Sequence, residues 1–278
     1  MSLTETKALI SRATAEALQF VSHQNNTGVS LYNQGRYTNA LQCFKKATRD
    51  SKTFLTRPPE EEGRIIDAEL CVSFFLVLPS QGTHSQEIHS SIDPSVYWTP
   101  FDILVTLAES RDNAFLEQQM VQGDGLVEAS MIYLFTKLST MLIYNTALAH
   151  HAIALQSDEN LAIRRDFLSK ARDLYSLAYS INQREHEKEN IDPVLSPLFI
   201  LSILNNLGQS YAFLDDTENS VKCFKLLLES IIIFQQKSQL SCIFGELNDR
   251  SCYDRSIARF LNNTLFLILR DPGFAPAA

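Results

Sequence analysis

The sequence predicts a mostly α protein: an α-α superhelix of repeated helical hairpins with a small β-hairpin or irregular insertion. Glycine and proline are scarce, nine of each in 278 residues, and a chain poor in turn residues favours long helices over many short strands. A glycine, a small residue and an aromatic recur at one spacing in two distant segments. Between those segments, residues 64–106 carry β-branched and aromatic runs that break the helical rhythm.

Residues 1–57 are expected to hold an N-terminal helix and the first hairpin. Apolar residues recur at helical spacing from Leu3 to about Gln34, Asn33-Gln34-Gly35 marks a turn, and a second helix runs from Tyr37 to about Asp50. Pro58-Pro59 and the glutamates after it end that helix. Residues 58–124 read as an insertion. Its run Arg64–Leu78 is open between strand and helix, because short apolar runs fit both. A second candidate strand covers Ser95–Thr106, around Tyr97, Trp98 and Phe101, beyond a polar loop. Proline and polar boundaries make this insertion peripheral to the helical spine. Residues 125–278 are helical again, with two further hairpins and a C-terminal capping helix, near 126–156, 160–184, 197–214, 217–237 and 255–270. Gly123-Asp124-Gly125 reads as a helix start, since it lacks the length and lysine of a phosphate loop.

The repeat is carried by particular residues. Asn26, Gly28, Ala40 and Phe44 align with Asn206, Gly208, Ser220 and Phe224, Cys-Phe-Lys recurs in register, and the first copy adds a second alanine, Ala47. Two antiparallel helices approach closely where one offers glycine and the other a small residue. The aromatic is expected to fill the space between one hairpin and the next. A weaker copy lies between, with Asn145 and Ala147 on one helix and Ala171, Tyr175 and Ala178 on its partner. A partial copy around Asn263 supplies one helix and suits a terminal cap.

This pattern resembles the tetratricopeptide repeat, W-x2-L-G-x2-Y followed by A-x3-F and a proline. The first copy lacks the tryptophan and has Thr27 for leucine; the second has Ser220 for alanine and lacks the glycine between helices. The helical segments around Leu148 and Leu204 also resemble those of helical-repeat proteins of unicellular algae, a likeness that implies no activity. The tetratricopeptide resemblance implies a concave groove lined by the first helix of each hairpin, where asparagine bonds a peptide backbone. Asn26, Asn145 and Asn206 then become partner-binding candidates, with Tyr32 and Gln209 beside them. Asn25, Val29, Tyr144, Leu148, His151, Ser202 and Asn205 would share that groove. The lysine and arginine clamp of chaperone-tail binders has no counterpart at these positions, which disfavours an acidic tail as ligand.

Net charge is −8, unsuited to general nucleic-acid binding. Five cysteines without a CxxC pair point away from a disulfide framework and a zinc site, and fit a reducing, cytoplasmic setting. The uncharged stretches Leu138–Ser157 and Pro193–Leu214 hold mid-span Asn, Gln and His, which are costly in lipid and suit buried helices better. His150 and His151 are adjacent on a helix and point about 100° apart, poor geometry for shared ligation. No catalytic signature occurs, and no cofactor is expected. The leading expectation is a protein-interaction scaffold for a protein or peptide partner. Two alternatives stand beside it: an enzyme or enzyme subunit using the 64–106 insertion as a small-molecule site, with His84, His89, Asp93 and Trp98, and a structural subunit of a larger complex.

Overall fold

The computed structural model describes residues 6–10, 12–56, 70–77, 96, 99–109, 124–157, 160–188, 197–242, 257–258 and 260–264. Its elements in chain order are β1 (Thr6–Ile10), α1 (Arg12–Asn33), α2 (Tyr37–Thr56), β2 (Leu70–Val77), β3 (Asp102–Glu109), α3 (Asp124–Gln156), α4 (Leu161–Lys188), α5 (Pro197–Phe213) and α6 (Thr217–Cys242). Helical residues follow at 257, 258 and 260–264. The protein is a helical-hairpin repeat fold, with a small antiparallel sheet in order β1-β2-β3.

Two compact units divide the chain. One comprises Leu3–Ser80 and Pro100–Thr146; the other comprises Met1–Ser2, Gln81–Thr99 and Ala147–Ala278. The first holds all three strands and the α1–α2 hairpin. The second holds the α5–α6 hairpin and α4. Helix α3 contributes its residues through Thr146 to the first and the remainder to the second.

The strand-bearing unit corrects two expectations. Thr6–Ile10 is not helical; it pairs antiparallel with β2, Thr6 opposite Phe74 and Ile10 opposite Leu70. A short run such as Thr-Lys-Ala-Leu-Ile has little helix commitment of its own, and ladder bonds to an available edge override it. Leu70–Val77, left open between strand and helix, is a strand, and β3 pairs with it from Leu70 opposite Glu109 to Val77 opposite Asp102. The hairpin strand thus begins one residue after Phe101, later than the Ser95–Thr106 span suggested. The segment read as peripheral also packs on α1 through β3, so it shares the hairpin's core.

Both complete hairpins end their first helix in the same way. In α1, Gly35 takes φ 75°; its N–H reaches the Tyr32 carbonyl at 2.9 Å, and the Arg36 N–H reaches Leu31 at 3.0 Å. In α5, Asp215 takes φ 64°, with Asp215 N–H to Ala212 at 3.2 Å and Asp216 N–H to Tyr211 at 2.9 Å. This paired bonding is a Schellman motif, which satisfies the last carbonyls of the helix and needs a left-handed residue. The glycine absent from the second copy is therefore replaced by Asp215 at the same backbone station.

The glycine–aromatic spacing is resolved as direct contact. A Cβ at position 28 would sit 2.5 Å from Phe44 Cε1, and one at 208 would sit 2.7 Å from Phe224 Cε2. Each ring is fully buried and lies over the glycine of its own hairpin. The space it fills is thus within the hairpin, where the missing Cβ admits the ring face. Ala40 is buried at the small-residue position, and Ser220, its counterpart, donates its hydroxyl to the Gly208 carbonyl at 2.9 Å. Ala147, Ala171, Tyr175 and Ala178 of the weaker copy are also fully buried. Most described side chains of α3 and α5 are buried, as expected of helices apolar on most sides.

Candidate functional site

The face of α1 that carries Ser22, Asn25, Asn26 and Val29 follows the i, i+3, i+4, i+7 pattern, so these side chains line one side of the helix. Three of them meet an extended piece of backbone, residues 101–103. Asn26 donates its amide to the Ile103 carbonyl and accepts from the Ile103 N–H, each at 2.8 Å. Asn145, from α3, does the same to Phe101: it accepts from the N–H at 3.0 Å and donates to the carbonyl at 2.9 Å. Asn25 adds a bond to the Phe101 carbonyl at 3.0 Å, and the Ser22 hydroxyl donates to the Ile103 carbonyl.

The geometry follows from the pleat of a strand. Alternate residues turn their N–H and C=O toward opposite edges, so 101 and 103 present both groups to one edge while 102 presents its pair to the other. Each asparagine carries one acceptor and one donor on a planar amide. Asn26 and Asn145 therefore act as the neighbouring strand would, each satisfying one residue's pair. The asparagines are also tied to one another: Asn145 donates to Asn25 at 2.8 Å, and Asn25 donates to Asn26 at 3.1 Å.

Side chains complete the site. Phe101 and Ile103 are fully buried, and the Phe101 ring meets Tyr144 edge-on with centroids 5.3 Å apart. Asp102 lies between them on the opposite face of the strand. Burial pushes its carboxyl up to about 6.

The second unit repeats the asparagine arrangement. Asn205 donates to Asn206 at 3.0 Å, and Asn263 donates to Asn205 at 2.8 Å. Asn206 also reaches the Tyr175 hydroxyl at 3.4 Å. Asn205 and Asn206 correspond to Asn25 and Asn26 in the repeat, and Asn263 corresponds to Asn145.

Of the five candidates, Asn26 and Asn145 come together on one segment. Tyr32 lies fully buried against Tyr37, ring centroids 4.9 Å apart. Asn206 and Gln209 are buried on α5. The expected groove neighbours Asn25, Val29, Tyr144, Leu148, His151, Ser202 and Asn205 are buried too. The side chains expected to line a groove are thus buried. Sequence reasoning missed Ser22 and the identity of the segment held. The sequence did place Phe101, directly after Pro100, within the candidate strand Ser95–Thr106.

His151 packs between the Tyr175 and Phe213 rings at 6.1 and 5.8 Å. Burial lowers its imidazole to about 3, with the Arg164 charge adding to the effect, so the ring is neutral near pH 7. His150 lies beside Phe167, ring centroids 5.4 Å apart, and not at a shared ligation site with His151. His84, His89, Asp93 and Trp98, which carried the small-molecule alternative, lie outside the described residues. Among the described residues, no group of three or more His, Cys, Asp or Glu could hold a metal ion, and no helix is long and apolar enough to cross a membrane.

No curated protein and no solved structure is significantly similar to this chain. Residues 201–230 match the family model of the tetratricopeptide repeat. That stretch takes in most of α5 and the first half of α6, with Asn205, Asn206, Gly208, Ser220 and Phe224. The hairpin of α1 and α2 lies outside the match, yet it reproduces the same glycine–aromatic contact and the same helix ending. The chain is thus a helical-hairpin protein with one segment similar to a tetratricopeptide repeat, and such repeats serve protein interaction in general.

Proposed function

We propose that this chain is a non-catalytic, cytoplasmic protein-interaction module whose asparagine-bearing first helices hold an extended polypeptide by its backbone. The observation that carries this reading is the bonding of Asn26 and Asn145 to both the N–H and the C=O of Ile103 and Phe101. Contacts of this kind ignore side-chain identity, so affinity comes from the backbone and selectivity from the pockets beside it. The matching triad at Asn205, Asn206 and Asn263 supports the same use in the second unit, alongside Gln209. The net charge of −8 favours a protein or peptide partner over nucleic acid.

The experiment is affinity capture with the full chain, identification of the retained proteins, and titration of a recovered partner against Asn206→Ala and Asn145→Ala. A neutral hydrogen bond contributes roughly 0.5–1.5 kcal/mol, so either variant should bind roughly threefold to tenfold more weakly with an unchanged far-UV helical signal. A partner whose affinity is the same for wild type and both folded variants would remove the reading.

A further inference from the structure

We infer that the outward face of α2 is a docking surface for an extended acidic peptide, with carboxylates at alternate positions and an apolar residue beside them. This face belongs to the second helix of its hairpin and does not involve the asparagines of α1 and α3.

Charge is unevenly divided along the chain. The α1–α2 hairpin, residues 12–56, holds six cations, Arg12, Arg36, Lys45, Lys46, Arg49 and Lys52, and two acids, Glu16 and Asp50. Its net charge is +4 in a chain of −8, so all other residues together carry −12. A positive element in an acidic protein attracts anions over a short range only, since the screening length is about 8 Å at physiological salt. A short segment that touches α2 alone meets the positive charge. An extended polyanion, whether a lipid surface or a nucleic acid, also meets the negative remainder.

The cations face solvent together. Gln42, Lys45, Lys46, Arg49 and Thr53 are exposed, and their spacing places them on one side of the helix. Lys45, Lys46 and Arg49 form no ion pair among the described residues. Asp50, the acid next to Arg49 in the chain, instead accepts a bond from Gln24 of α1 at 3.0 Å. Exposed cations of the other unit do have carboxylate partners: Lys170 lies 2.5 Å from Asp166, Lys222 2.6 Å from Glu218 and Arg165 3.4 Å from Asp215.

Helix geometry sets the form of the ligand. Lys45 and Arg49 are one turn apart, a rise of about 6 Å. Two residues of an extended chain span about 6.6 Å, so carboxylates at alternate positions meet successive turns of α2. Acidic residues at i and i+4 of a helix would match the same rise, but like charges at that spacing destabilise an isolated helix. Phe20, on α1, is 48% exposed, and the Lys46 ammonium stands 5.8 Å from its ring centroid. The ring thus borders the cations and gives an apolar side chain of the peptide a surface to cover.

The test uses the full chain and a fluorescently labelled peptide of alternating aspartate and serine with one leucine, set against its asparagine analogue. The acidic peptide should bind and the analogue should not. Lys45→Gln, Lys46→Gln and Arg49→Gln together should weaken binding roughly fivefold to tenfold, because three exposed ion pairs are lost. Phe20→Ala should weaken it severalfold. Lys170→Gln with Lys222→Gln should leave it unchanged. If the triple variant does not fold, the wild-type chain decides: raising salt from low to physiological strength should weaken the peptide severalfold, and excess peptide should protect Lys45 and Lys46 from an amine-acylating reagent. Equal binding of the acidic peptide and its analogue, an unchanged affinity in the folded triple variant, or an affinity unmoved by salt would overturn the inference. Capture of phosphatidylserine vesicles or single-stranded DNA by the same three cations, with the peptide left unbound, would overturn it as well.

Discussion

The two hairpins of this chain reach the same packing with different residues, and the differences separate what the fold requires from what it tolerates. Gly28 and Gly208 are identical because the ring of Phe44 or Phe224 occupies the space of a Cβ. The small residue opposite varies, Ala40 in one and Ser220 in the other, since a hydroxyl is accommodated once it finds the Gly208 carbonyl. The left-handed residue varies as well, Gly35 against Asp215. Contact with an aromatic ring is thus stricter than backbone conformation at an exposed turn.

The strictest contact gives the largest expected effect. Removing Phe44 or Phe224 leaves a ring-sized hole against a glycine that cannot fill it, so each change to alanine should cost about 3–5 kcal/mol. Urea unfolding of the two variants measures this directly. A loss under ~1 kcal/mol in one hairpin would show that its ring is replaceable and that the two are not equivalent. The complementary change sharpens the point. Gly28→Ala would ordinarily add roughly 1 kcal/mol of helix stability, but its Cβ would meet Phe44 at 2.5 Å, so overpacking should make it a net loss of ~1–3 kcal/mol.

The asparagine triad of the first unit is open to a smaller perturbation. Asn145→Ala leaves the buried Phe101 N–H and the Asn25 carbonyl oxygen without this partner, which should cost about 2–3 kcal/mol. The change is read as a shift of the urea midpoint at constant slope. Asn145→Asp keeps the acceptor for the Phe101 N–H but loses the donor and brings a charge into a buried site. It should therefore not restore stability at pH 7; full restoration would mean that Asn145 serves only as an acceptor.

Much of this architecture was legible in the chain, and the reasons it was not all legible are local. Gly28, Phe44, Gly208 and Phe224 announce themselves because close helix contact demands a rare residue at fixed spacing. The helices beginning near Gly125, Leu161, Pro197 and Thr217 follow from long periodic runs. Thr6–Ile10 was hidden because five residues carry too little periodicity to choose strand over helix, and its partner lies some sixty residues away. The candidate asparagines were visible as a repeated position. What they bond was not, because a backbone contact leaves no mark on the sequence of the segment it holds. The aromatic residues of Ser95–Thr106 marked a candidate strand, but nothing in it pointed to α1 or α3.

Asp102 offers a comparison within the clamped segment, between its inward neighbours and its own carboxyl. Burial raises that carboxyl from 3.8 to about 6. A folded-state value above the unfolded one means that the folded chain binds the proton more tightly. The destabilising cost of the charged form is therefore absent below pH ~4, grows as pH rises through 6, and is complete above it. Asp102→Asn should remove that cost and stabilise the strand-bearing unit at pH 7.5 by ~1–2 kcal/mol, a figure reduced for the carboxyl's partial exposure to solvent. Chemical melts of wild type and variant at pH 4 and pH 7.5 test the sign. A gain of equal size at both would show that the carboxyl's charge is irrelevant.

The smallest expected effect lies where the two hairpins differ most openly. Asp215 occupies the left-handed station that glycine fills in the first hairpin. An L residue there crowds its Cβ against the following carbonyl, a strain of roughly 1–2 kcal/mol that aspartate partly relieves. Asp215→Gly removes the strain but adds backbone freedom to the unfolded chain, which offsets up to ~1 kcal/mol. It also deletes a bridge to Arg165 at 3.4 Å whose two side chains are largely exposed, a pair that contributes little. The balance should be a stabilisation of about 0.5 kcal/mol. The reverse exchange, Gly35→Asp, should cost roughly as much, because nothing lies within 4 Å of the added Cβ and only the backbone conformation opposes it. Thermal melts of the two single variants and of the double exchange place both on one scale. If Asp215→Gly destabilises the chain while Gly35→Asp is neutral, then Asp215 contributes through its side chain, and the two turns are alike only in their backbone.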